Sequence, residues 1–138
     1  RLGISSGGLA MAESALAHTI EYVKERKAFG KPIAGFQNTQ FKIAEMHTKL
    51  EVARAYVDRC LELHLKKELD IPTAAAGKYY ITDLQCEVID ECLQLHGGYG
   101  YMWEYPIARM FADSRVQRIY GGTNEIMKGI VAKAVLAD

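Results

Sequence analysis

Met46, Leu50, Ala53, Val57, Cys60 and His64 follow one another at steps of four, three, four, three and four residues. At 3.6 residues per turn, these steps place all six on one seam of a single long helix. Running from about Asn38 to Lys67, that helix reaches roughly 45 Å at 1.5 Å per residue. An apolar seam of this length needs other long helices to cover it, and the chain supplies them. Leu9, Ala12, Leu16, Ile20 and Val23 form one helical stripe, and Ile81, Leu84, Val88, Cys92 and Leu95 form another. His64 shares the apolar seam and is expected to be a hydrogen-bonded core residue.

Each of the three prolines, Pro32, Pro72 and Pro106, falls where the periodic pattern breaks. The first helix ends around Lys27, and its Gly7-Gly8 pair permits close approach of a neighbour. Asp70 and Pro72 read as the cap and first-turn proline of the third helix, which stops at Gly97-Gly98. Pro106 opens a short fourth helix holding Ile107, Met110 and Phe111. A fifth begins near Thr123, with Ile126, Ile130 and Ala134 on one face. No segment alternates at period two for long enough to make a strand. The expected fold is all-α, an up-and-down bundle of long helices in one domain.

Seventeen basic and 17 acidic residues leave no formal net charge, so the electrostatic footprint of a nucleic-acid or anionic-membrane binder is missing. No apolar run approaches a membrane span, and no signal peptide is visible. Cys60, Cys86 and Cys92 contain no Cys-x-x-Cys pair. They read as reduced, mostly buried thiols of a cytoplasmic (bacterial) or mitochondrial-matrix protein. A helical bundle raises the question of a di-iron site built on Glu-x-x-His pairs. None of His18, His47, His64 or His96 has a glutamate three positions earlier, so no metal site is expected.

Three motifs stand out. Glu25-Arg26-Lys27-Ala28-Phe29-Gly30 puts cations at a helix C-terminus, where they complement the dipole or clamp an anion. Gln94-Leu95-His96-Gly97-Gly98-Tyr99-Gly100 reads locally as a helix end with a glycine cap. Tyr120-Gly121-Gly122-Thr123-Asn124-Glu125-Ile126 reads as a turn with Thr123 as N-cap, which leaves the flanking residues unexplained.

Together these motifs resemble the C-terminal helical domain of acyl-CoA dehydrogenases, over nearly the whole chain, and look closest to the long-chain type. The resemblance implies an FAD-dependent oxidation of an acyl-CoA thioester to the trans-2-enoyl-CoA. It also implies electron-transfer flavoprotein as acceptor and a homo-oligomer, a dimer or dimer of dimers. Arg26, Lys27, Ala28 and Phe29, followed by Phe36 and Gln37, would meet FAD pyrophosphate across a subunit interface. Gln94, Gly97 and Gly98 would approach the adenosine half, and Thr123 and Asn124 the flavin. Arg1, Tyr120, Gly121 and Gly122 would border the acyl group, with the Gly121 N–H donating to the thioester carbonyl.

Many members of that family carry the catalytic glutamate where this chain has Gly121. The long-chain and isovaleryl branches instead use a glutamate just before an arginine that aligns with Arg1. The base is therefore expected immediately before Arg1, in a longer protein that also carries an N-terminal helical domain and a middle β-domain. The 138 residues alone are expected to be inactive. Glu13 lies about three turns along the same helix, roughly 18 Å away, and is not assigned. Two alternatives remain at this point: a non-catalytic FAD-binding or oligomerisation module, and an acyl-CoA oxidase-type relative that passes electrons to oxygen.

Overall fold

The computed structural model describes residues 1–137. Five helices carry the chain: α1 (Leu2–Glu25), α2 (Gln37–Leu65), α3 (Ile71–His96), α4 (Pro106–Ser114) and α5 (Asn124–Val135). The all-α bundle follows from the three long stripes, and α3 packs against each of the other four helices. Leu9, Leu16, Met46, Leu50, Val57, Ile81, Val88 and Ile89 interlock as its core.

Close packing of α1 on α3 rests on two glycines. A Cβ at Gly8 would lie 2.8 Å from Gln85 Oε1, and one at Gly77 would lie 3.2 Å from the Tyr56 ring and 3.6 Å from Ser5 Oγ. Gly7, by contrast, faces open space, so only one of the glycine pair serves the contact. The start of α3 is set as the sequence implies: Asp70 Oδ1 accepts from the Thr73 N–H at 2.7 Å, and Pro72 lies in the first turn. Its end is Gly97, whose φ of 59° is cheap only for glycine.

Three local expectations are corrected. His64 is exposed rather than buried, because the last turn of α2 overhangs its partners and leaves Leu61 and Leu65 uncovered as well. A two-strand hairpin, β1 (Lys27–Ala28) and β2 (Lys31–Pro32), follows α1; strands of two residues are too short to show any alternation. On α5, Ile126 points outward and is 59% exposed, while Asn124 and Met127 face inward. Hydrogen bonds from Asn124 to α3 fix the rotation of the helix. At 100° per residue, Met127 then shares the inner side and Ile126 does not.

This reassignment is testable by urea denaturation. Met127→Ala should cost about 2–5 kcal/mol, whereas Ile126→Ala should stay within about 0.5 kcal/mol. Equal losses would restore the original face.

Candidate functional site

The motif residues gather at the two ends of α1. At its C-terminal end the β1–β2 hairpin turns on Phe29 and Gly30, with φ of 53° and 81°. Two left-handed residues match the twist of a two-residue hairpin. Glycine accepts this freely, but phenylalanine does not, and Phe29 holds it while 96% exposed. Its ring meets Phe36 edge to face at 6.3 Å, Lys31 lies over the other aromatic of that pair at 4.2 Å, and Gln37 opens α2 beside them.

Beside the hairpin lies a groove of about 590 Å³ lined by Tyr22, Arg26, Ala28, Gln94, Gly97 and Gly98 among others. Two motifs nearly 70 residues apart thus line one depression. The Arg26 guanidinium sits 5.3 Å from the centre of the Tyr99 ring and has no carboxylate partner among the described residues. A Cβ at Gly97 or Gly98 would meet nothing within 4 Å, so the backbone there is open to an approaching group. An uncompensated guanidinium beside bare backbone and an aromatic ring suits a phosphate-bearing, ring-containing ligand. These residues fit the dinucleotide, FAD, that the resemblance implies.

Beneath the groove, Tyr22 stacks on His96 with centroids 4.2 Å apart and donates its hydroxyl to the His96 carbonyl at 3.2 Å. His96 Nδ1 is 2.8 Å from the Cys92 carbonyl, so in the neutral ring Nδ1 carries the proton. Burial pushes the His96 pKa below its ordinary 6.5, the Cys92 carbonyl opposes this, and His18 adds to the depression. Between the lowered folded value and 6.5 the unfolded chain binds more protons. Stability therefore falls as pH drops through that window. His96→Gln should flatten this fall, as read from urea midpoints between pH about 5 and 7.5.

At the other end, α1 begins beside the Gly121-Gly122 turn. Gly121 has φ 67° and Gly122 has φ 93°. A Cβ at Gly121 would sit 2.3 Å from Ile4 Cδ1, and one at Gly122 would sit 2.6 Å from Met127 Cε. At position 121 a side chain would strain the backbone at this φ and would require the flexible tip of the half-buried Ile4 to move aside. Arg1 precedes the first turn of α1 and is exposed, and the exposed Tyr120 donates its hydroxyl to Gln117 Oε1 at 2.9 Å. Thr123 caps α5 through the Ile126 N–H, and Glu125 lies exposed in the first turn. Glu13 is taken up by Arg54, at 3.0 Å and 2.5 Å.

Asn124 is 3% exposed and spends its amide inside the fold. Its Oδ1 accepts from Lys78 Nζ at 2.8 Å, and its Nδ2 donates to Thr82 Oγ1 and Asp83 Oδ1, both at 2.9 Å. The amide orientation is forced, since lysine only donates and a carboxylate only accepts. Lys78 also donates to the Gly122 carbonyl at 2.8 Å and is 0% exposed. Sequence reasoning missed this lysine, although it stands three residues before Ile81, in phase with the α3 stripe. Among the described residues no group of histidine, cysteine or carboxylate side chains could hold a metal ion, no helix is long and apolar enough to cross a membrane, and the three cysteines are free.

Residues 1–136 match the family model for the acyl-CoA dehydrogenase C-terminal domain. The chain belongs to the acyl-CoA dehydrogenase family. It is 51% identical over 138 residues to the mitochondrial long-chain specific acyl-CoA dehydrogenase of Mus musculus, covering 100% of this chain and 32% of that protein. It superposes on an acyl-CoA dehydrogenase from Geobacillus kaustophilus with a TM-score of 0.97 at 42% identity, covering 99% of this chain and 36% of that one. It also matches a glutaryl-CoA dehydrogenase from Mycobacterium smegmatis solved in complex with FADH2, at a TM-score of 0.96 and 28% identity, covering 100% and 36%. The chain therefore spans about a third of the length of the relatives it matches.

In this acyl-CoA dehydrogenase domain, the packing at position 121 makes a specific prediction. Gly121→Ala should cost about 1 kcal/mol or more, because alanine is strained at this positive φ and the Ile4 tip must shift to admit the methyl. Ile4→Ala removes the contact but not the φ strain. A double-mutant cycle should show the pair costing less than the sum of the two single changes; strict additivity would mean that Ile4 does not fill this space.

Proposed function

We propose that this chain is the C-terminal domain of a longer, FAD-dependent acyl-CoA dehydrogenase that converts an acyl-CoA thioester to its trans-2-enoyl-CoA. The groove that brings Arg26 and Ala28 together with Gln94, Gly97 and Gly98 is the observation that carries this reading. Arg26 would hold the FAD pyrophosphate by a bidentate contact, with Lys27 adding charge and Phe36 and Gln37 beside it. The open backbone at Gly97 and Gly98 admits the adenosine half. Phe29, left almost fully exposed, supports a homo-oligomer in which the hairpin tip seats on a second copy.

At the far end of α1, the Gly121 N–H would donate to the thioester carbonyl, Tyr120 and Gly122 would border the acyl group, and Thr123 and Asn124 would frame the flavin side. A backbone donor aimed at that oxygen stabilises the enolate charge that develops as the α-proton leaves. The chemistry supplied by bound FAD would be hydride acceptance from the β-carbon, with electron-transfer flavoprotein as the onward acceptor. Removal of the α-proton needs a carboxylate of raised pKa. Ile4 sets the first turn of α1 against Gly121, which supports a base supplied by the segment preceding Arg1, beside the turn rather than on it.

The full-length protein loaded with FAD should produce enoyl-CoA from a graded series of acyl-CoA substrates and reduce electron-transfer flavoprotein. The isolated 138-residue chain should produce none. A full-length holoenzyme that leaves every acyl-CoA unchanged would refute the reading.

A further inference from the structure

Lys78 is a fully buried cation whose surroundings are wrong for stability alone. Among the described residues its ammonium makes no direct ion pair; it donates to the Gly122 carbonyl and to Asn124 Oδ1, each at 2.8 Å. The carboxylate of Asp83 is reached only through the Asn124 amide. Lys78 also sits at the start of α5, where the helix dipole is positive and disfavours a cation. Thr123 already caps that helix, so its termination does not need the lysine. Desolvation of an ammonium in a bundle interior is costly, and it is offset here by two hydrogen bonds to neutral acceptors and by no adjacent carboxylate among the described residues.

We propose that Lys78 is a positioning residue for dehydrogenation: its ammonium pins the Gly122 carbonyl and Asn124 so that the Gly121–Thr123 backbone keeps its donors aimed at the reacting acyl group. The inference rests on the reading of this turn as the thioester-oxygen site. The two glycines at φ 67° and 93° have no side chains to hold them, so the turn needs an external anchor. The peptide whose carbonyl accepts this bond is Gly122–Thr123, so Lys78 acts on the Gly121 N–H by holding the turn's geometry and not by polarising that N–H. The positive charge lies behind a backbone where negative charge develops during proton removal, in surroundings that screen it little. Burial lowers the Lys78 pKa, while Asp83 and Glu125 act against that shift and favour the charged form.

The test uses the full-length FAD-loaded enzyme, with wild-type turnover of acyl-CoA established first; an inactive wild type would count against the reading of the turn rather than against Lys78. With wild-type activity in hand, Lys78→Met and Lys78→Ala should lower kcat about 10- to 100-fold, less than the loss of a direct oxyanion donor. KM for acyl-CoA and FAD content should stay within about threefold. Propylammonium should restore part of the kcat of Lys78→Ala, whereas 1-propanol, of similar size but uncharged, should not. If these variants do not accumulate as holoenzyme, Lys78→Gln carries the same expectation for kcat and KM. Wild-type kcat in any soluble variant, or equal rescue by the alcohol, would overturn the proposal.

Discussion

The approach of α1 to α3 is the contact on which the other parts depend. Gly8 lets α1 lie against Gln85 and Ile81, and Gly77 admits Ser5 and the Tyr56 ring. With α1 seated, its first turn reaches Gly121 through Ile4 and its last turns reach His96 through Tyr22. Both candidate sites are therefore consequences of how deeply one helix sits on another. A methyl group at Gly8 would act on both, because a close-packed interior transmits displacement instead of absorbing it.

Charged residues divide into three kinds. Lys49–Glu87, Arg59–Glu62 and Lys24–Glu21 are exposed pairs that link surface side chains and contribute little net stability. Arg54–Glu13 and Lys42–Glu91 tie α2 to α1 and α3 from half-buried positions. The Lys78–Asn124–Asp83 series differs, since an amide separates cation from carboxylate and each group finds a partner of the right kind. Arg118 and Lys128 reach Asp83 from its outer side. The turn at Gly121 is thus joined to α3 by directional bonds, where most of the bundle relies on shape.

Long stripes were the legible part of the sequence. Met46 to Cys60 and Ile81 to Cys92 repeat often enough that the helical period dominates, and Asp70 and Gly97 mark ends by local chemistry that tertiary packing did not override. His64 failed because a seam read from spacing has no knowledge of where its partners stop. α5 failed because its rotation is set by the hydrogen bonds of Asn124, a polar residue that a search for apolar faces passes over. The motifs at Arg26 and Gln94 were joined in the sequence only by the resemblance, which implied one FAD for both, and the fold shows them lining one groove. Lys78 was in phase with a buried stripe, yet a lysine there reads as a surface residue until Gly122 and Asn124 are seen to bond it.

The hairpin groove and the Gly121 turn lie at opposite ends of α1, which at 24 residues spans roughly 36 Å. No residue named at one end shares a partner with a residue named at the other. Within a single chain, the free-energy effects of changes at Arg26 and at Gly121 should therefore be close to additive so long as α1 keeps its seat on α3. One domain of this size thus holds two candidate surfaces apart on a common rod, and what links them within the chain is the seating of α1 on α3.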